Sequence, residues 1–110
     1  MSIYNLKLGD FQTSGSKVFT GREQGIEVRD ASKIDDLVEM YDEIIIELPA
    51  NLRSINPSFL EEFFYNVIPK YGASGFHRKI KFTEADLYNI TEDLEDAINR
   101  RLRENNALVC

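Results

Sequence analysis

Two hydrophobic periods alternate along this chain. Residues 43–48 (EIIIEL) are its most apolar run, and the Ile44, Ile45, Ile46 triplet leaves no face for water. Such a run reads as a central strand buried on both sides. Pro49 ends it, because proline cannot donate to a ladder. Residues 3–8 alternate more loosely, with Tyr4, Leu6 and Leu8 on one side and Asn5 and Lys7 on the other. That is a half-buried strand. Residues 78–82 (RKIKF) repeat the pattern with Ile80 and Phe82 in phase. Residues 9–25, rich in glycine and hydroxyls, read as a long loop with a short strand near residues 17–19.

Elsewhere the period lengthens to three and four. Ile26, Ile34, Leu37, Val38 and Tyr41 predict helix over residues 21–41, or two helices if Ser32 caps a second. Asn56 followed by Pro57 is a strong helix start, an Asn cap before a proline whose missing N–H costs nothing there. Leu60, Phe63, Phe64, Val67, Ile68 and Tyr71 give that helix its buried face, and Glu61 and Glu62 near its start suit its dipole. Pro69 kinks or shortens its last turn, and Gly72 is the expected stop. Residues 83–90 read as a turn or one turn of helix. Thr91 then caps a final helix to about residue 104, with Glu92 and Asp93 in the first turn and Arg100, Arg101 and Arg103 towards the end. Leu94, Ile98 and Leu102 are its apolar stripe, and residues 105–110 are expected to fray. Strands alternating with helices predict an α/β layer fold around a small, mixed, mostly parallel sheet of about four strands.

The bulk numbers narrow the class. The 110 residues suit one domain, 1–110, with an apolar fraction of 43% and a charged fraction of 29%. The net charge of −6, shared between both halves, argues against a nucleic-acid partner, because phosphates attract basic surfaces. Cys110 is the only cysteine, so neither an internal disulfide nor a cysteine metal cluster is expected. No stretch approaches the ~20 apolar residues of a membrane span. The first ten residues lack a basic region followed by an apolar one, so a cytoplasmic location is expected.

Catalytic chemistry is thinly supplied. His77 is the only histidine and reads as a loop or strand-edge residue beside Arg78 and Lys79. An enzyme would need His77 or Lys17 beside a substrate. The run Thr13, Ser14, Gly15, Ser16, Lys17 is phosphate-friendly but matches no nucleotide-binding motif, and reads as a surface turn. Paired acids such as Asp35 and Asp36 point about 100° apart on a helix, which suits solvent rather than one metal ion. No catalytic residue, metal ligand or cofactor is therefore assigned. The segment 51–58 between the apolar strand and the capped helix stands out. It carries Arg53, Ser54, Asn56 and Ser58 at a helix start, where free N–H groups attract anions. A phosphoryl group on a serine there would be stabilised by the same field.

Ser58, Phe59, Leu60, Glu61, Glu62, Phe63 and Phe64 resemble the S-F-L-E-E-A-F segment of the STAS-like family, small bacterial and phage-associated domains of unknown function. Gly15, Ser16, Lys17 and then Phe19, Thr20, Gly21 resemble its G-G-R … F-S-G loop. The chain is more distantly similar to STAS domains, the sulfate-transporter and anti-sigma-factor-antagonist fold. The resemblance implies helices mainly on one face of the sheet and a regulatory role in protein–protein contact. In anti-sigma antagonists a kinase-like ATPase phosphorylates a serine at this helix start. On this chain the motif's aspartate falls at Asn56, the acceptor at Pro57 and the next serine at Ser58. Proline carries no hydroxyl, so Ser58 is the displaced acceptor candidate.

The expected function is thus a non-enzymatic interaction module that binds a protein partner through Arg53, Ser54, Asn56, Ser58 and Phe59. The alternatives are an antagonist switched by phosphorylation at Ser58 or Ser54 by a histidine-kinase-like ATPase, and a phage-encoded inhibitor of a host protein.

Overall fold

The isoleucine run does form the middle of a sheet, but of a sheet with one open face. The computed structural model describes residues 2–11, 18–19 and 21–109, the side chains of 104–109 excepted. In chain order the elements are β1 (Ile3–Lys7), a 3-10 turn (Leu8–Phe11), β2 (Val18–Phe19), α1 (Arg22–Ser32), α2 (Ile34–Met40), β3 (Glu43–Glu47), β4 (Ser54–Ile55), α3 (Pro57–Phe63), α4 (Val67–Lys79), β5 (Ile80–Phe82) and α5 (Thr91–Val109). This is the expected α/β class. The strands form two sheets, β1-β3-β5 and the pair β2-β4, and every pairing is parallel.

In the larger sheet the register aligns Tyr4, Ile44 and Ile80 in one row and Leu6, Ile46 and Phe82 in the next. These rows face the helices, and Leu6, Ile44, Ile46 and Ile80 are buried. The other face carries Ile3, Asn5, Lys7 and Lys81, all exposed, around a half-buried Glu43, Ile45 and Glu47. The expectation that β3 has no wet face is therefore corrected. Helices cover one side only, and period-two geometry sends Ile45 to the other.

The helices divide more finely than the periodicity predicts. α1 and α2 are separate, joined at Lys33 in the left-handed region (φ 58), whose N–H donates to the Arg29 carbonyl at 3.1 Å. Ser32 does not cap α2; its hydroxyl donates back to the same carbonyl at 3.4 Å. Ile26 is 39% exposed, and α1 turns Gly25 and Val28 inward instead. The helix expected to run from Pro57 to the Gly72 stop is broken after Phe63. α4 restarts at Val67, so Pro69 falls in a first turn, where no intrahelical donor is lost. Gly72 (φ 69, ψ 175) does interrupt the helix, and a further helical stretch follows over residues 73–79. Arg78 and Lys79 end this stretch instead of opening a strand, and with His77 they place basic groups at a helix C-terminus. α5 begins at Thr91, but Asn89 supplies the capping oxygen, Oδ1 accepting from the Thr91 N–H at 2.9 Å. Its backbone stays helical to Val109, past the expected end near residue 104.

That extra length reassigns the arginines. Arg100, Arg101 and Arg103 lie in mid-helix, and Arg101 is 6% exposed. Its Nε donates to the Tyr65 carbonyl at 2.9 Å, and its guanidinium lies 3.7 Å from the Tyr65 ring centroid. Arg29 Nη1 donates to the Glu62 carbonyl at 2.8 Å. Two cations from other helices thus bond carbonyls at and just past the end of α3, the negative end of its dipole.

Glu61 and Glu62 also serve a tertiary contact. They lie beyond the first turn of α3 and face α1, with Arg22 3.0 Å from Glu61 and 3.2 Å from Glu62. Beside them α1 meets α3 at Gly25. A Cβ on Gly25 would sit 2.6 Å from the Phe59 carbonyl oxygen and 2.7 Å from Glu62 Cβ. Behind this contact runs a chain of buried rings. Phe19 to Phe59 is 5.0 Å, Phe59 to Phe63 is 5.7 Å, Phe63 to Phe64 is 4.5 Å and Phe64 to Phe76 is 4.9 Å. Each such pair adds about 0.5–1.5 kcal/mol beyond burial itself.

Gly25→Ala sets two effects against each other. Alanine favours helix over glycine by about 1 kcal/mol. Overpacking costs about 1–3 kcal/mol, and here the obstructing atom is backbone. The clash should win, giving a net loss of up to about 2 kcal/mol in urea unfolding; a raised midpoint would contradict the close approach.

Candidate functional site

At the carboxyl end of the sheet the chain leaves β3 and β5 side by side. The Thr83 N–H donates to the Ile46 carbonyl at 3.0 Å, and the Leu48 N–H donates to Thr83 Oγ1 at 2.9 Å. The threonine side chain extends the ladder by one bond where β5 stops. Pro49 then ends the strand as expected, and a turn closed from the Leu52 N–H to the Pro49 carbonyl (3.1 Å) buries Leu52.

The segment 51–58 is more than a turn. Ser54 and Ile55 form β4, pairing in parallel with Val18 and Phe19, and the Asn56 N–H donates to the Phe19 carbonyl at 2.9 Å. The Asn56 side chain then caps α3, Oδ1 accepting from the Ser58 N–H at 2.8 Å. The cap read from sequence is therefore present, with Pro57 at the first helical position. The strand before it was not legible, because two residues are too few to show a period.

Of the proposed surface residues, Arg53, Ser54 and Asn56 are exposed and Ser58 is half-buried. Phe59 is not a surface residue. It is fully buried against Phe19, because the third position of α3 faces α1 and β2. Phe59 belongs to the core. The run Thr13, Ser14, Gly15, Ser16, Lys17 lies outside the described residues, as does Thr20.

Tyr88 is the residue that sequence reasoning missed. Its hydroxyl lies 3.1 Å from the Ile55 carbonyl and also donates to the Asp93 carboxylate, so one phenol joins residues 83–90 to β4 and to the first turn of α5. Burial first, and then the hydrogen bond with Asp93, push its pKa well above the ordinary phenol value. The only sequence signal was one tyrosine in a short stretch without a clear period.

Next to this clamp opens a groove of about 880 Å³, bounded by β5, residues 83–91 and the start of α5. Leu48, Phe82, Ala85 and Leu94 form apolar parts of its lining, and Leu87, 62% exposed, stands among them. His77 lines it too, with Nε2 2.9 Å from Glu95 Oε1, an exposed pair that links α4 to α5. Among the described residues no group of three or more His, Cys, Asp or Glu side chains converges as a metal site would require. No helix there is long and apolar enough to cross a membrane.

These features define an α/β domain with a groove and a row of exposed polar side chains at the carboxyl end of its parallel strands, the end at which such sheets usually bind. Comparison with protein-family models, curated proteins and solved structures returns no match to this chain.

The clamp has a pH signature. Folding favours the neutral form of Tyr88, so its contribution is complete below the ordinary phenol value of 10.0. As pH rises past that value the unfolded chain ionises while the folded chain holds its proton, and the unfolding free energy falls. Tyr88→Phe should flatten this alkaline loss while costing about 1 kcal/mol at neutral pH. Identical alkaline profiles for the two proteins, measured by urea unfolding, would refute the assignment.

Proposed function

We propose that this chain is a non-enzymatic protein–protein interaction module of STAS-like type with a regulatory role in the cytoplasm. It engages a protein partner through the face that carries Arg53, Ser54, Asn56 and the open side of Ser58. One observation carries the reading: these exposed polar side chains stand on backbone anchored on both sides. Asn56 is tied to Phe19, and Ile55 to Tyr88. Recognition groups on an anchored backbone lose less freedom when a partner arrives. The apolar side chains between them point inward, so this face offers polar contacts and specificity rather than bulk burial.

A second reading rests on Ser54, which is exposed beside Arg53, and on Ser58 at the start of α3. Phosphorylation of either by a histidine-kinase-like ATPase would add charge in the middle of the proposed face and switch the contact off.

Affinity capture with the native chain and with an Arg53→Ala/Ser58→Ala double variant separates these readings from their rivals. The variant should recover about tenfold less of the partner, in line with the loss of one well-placed charged contact. Equal recovery removes this face from consideration. For the switch, intact-mass measurement after incubation with the ATPase and ATP should show added phosphate; an unmodified mass ends that reading.

A further inference from the structure

β1 is an edge strand, paired with β3 alone in the order β1-β3-β5. The Asp42 and Glu43 N–H groups both donate to the Ser2 carbonyl, at 3.0 and 3.1 Å. Main-chain groups alternate sides along a strand. Tyr4 and Leu6 therefore turn theirs towards β3, and Ile3, Asn5 and Lys7 turn theirs away. Among the described residues nothing hydrogen-bonds to the main-chain groups of Ile3 and Asn5 or to the Lys7 N–H. The Lys7 carbonyl begins the 3-10 turn. Across its five residues β1 has no proline, and its register on β3 is unbroken. This edge keeps one charge at its end, Lys7, and is otherwise bare, a template for another strand.

We propose that β1 pairs antiparallel with β1 of a second copy of this chain, about a two-fold axis at Asn5. Two three-stranded sheets then join into one of six strands. The order of side chains along the strand selects this occupant. With the axis at Asn5, the Asn5 N–H donates to the Asn5 carbonyl of the second copy. The Lys7 N–H donates to its Ile3 carbonyl, and symmetry makes each bond twice. On the open face of the sheet Asn5 lies opposite Asn5. An amide side chain both donates and accepts, so it is its own complement. Lys7 lies opposite Ile3, which is 48% exposed and which the lysine stem covers. No like charges stand opposite one another. Glu43 is in register with Ile3 on the same face, so Lys7 of the second copy comes two strands away from it. That is about 10 Å between backbones, within the joint reach of the two side chains. On the helix side Tyr4 lies opposite Leu6, which extends the apolar contact Tyr4 makes with the Tyr41 ring, 5.1 Å away.

This inference is independent of the partner-binding face, and its test is the association of the intact chain with itself. Sedimentation equilibrium should show the mass rising from one chain to two between about 1 µM and 1 mM, since one strand edge buries less than a standard interface. Amide hydrogen exchange at Asn5 and Lys7 should slow over the same range. The surface variant Asn5→Lys sets like charges opposite at the axis. It should pair about fivefold to tenfold more weakly, with unchanged circular dichroism. Cross-linking in a Cys110→Ser background reads the register. Asn5→Cys should oxidise to a disulfide-linked dimer, because hydrogen-bonded partners stand about 5.5 Å apart at Cα, inside the disulfide range. Lys7→Cys should not, because the two copies of that position lie about 14 Å apart.

A single-chain mass at the highest concentration would overturn the proposal. So would dimerisation that leaves exchange at Asn5 and Lys7 unchanged, equal pairing by Asn5→Lys, or equal cross-linking of the two cysteine variants. Protection of β1 that appears only with an added partner, in a chain that stays single, would give the edge to that partner and overturn it too. The Arg53→Ala/Ser58→Ala chain should pair as the native chain does, and a loss of pairing there would contradict a separate edge.

Discussion

The backbone contact between α1 and α3 at Gly25 is the constraint on which the rest of this structure hangs. A glycine on α1 lets the Phe59 carbonyl and the Glu62 stem come within contact distance of the α1 backbone. Once α3 lies there, its first residues place Asn56 against Phe19, and that bond continues the small β2-β4 sheet into the helix cap. Its buried rings reach Phe76 on α4, and its far end meets Arg101 of α5. A side chain at position 25 would move α3 outward and disturb all of these contacts together, which is how close-packed interiors respond to added volume.

The electrostatics follow from the same placement. α3 ends inside the protein, at the Glu62 carbonyl in its last turn and the Tyr65 carbonyl just past it. Arg29 and Arg101 reach them from two other helices, and both guanidinium groups lie over the Tyr65 ring, 5.6 Å and 3.7 Å from its centroid. At its flank, Glu61 and Glu62 meet Arg22. Buried charge costs least where each group has an opposite charge or a hydrogen bond close by. The acidic chain thus turns Arg29 and Arg101 inward and leaves Arg53 as an exposed cation on the proposed recognition face.

How much was legible depends on the range over which each feature is encoded. The Asn56 and Pro57 cap was readable because capping is local: an asparagine side chain reaches an N–H two residues on. The inward row Tyr4 and Leu6 was readable because strands repeat every two residues. Phe59 was misplaced because it follows the exposed cap residues in sequence while its neighbour in space is Phe19, forty residues earlier in the chain. The break after Phe63 was invisible because Leu60, Phe63, Phe64, Val67 and Ile68 keep a helical period straight across it, each side packing into the same core. Tyr88 was missed for the opposite reason, since a single residue has no period.

The sequence alone determined the α/β class, the central place of the isoleucine strand and the capped start of α3. Each depends on spacing, propensity or a side chain reaching a few residues along the chain. The tertiary structure alone decided which face of the sheet the described helices leave open and which charges are used internally. It also brought the segment 51–58 against residues 83–90. These outcomes depend on which elements meet, and in this chain a meeting is set by a missing Cβ at Gly25 and one phenol at Tyr88, neither of which leaves a periodic trace.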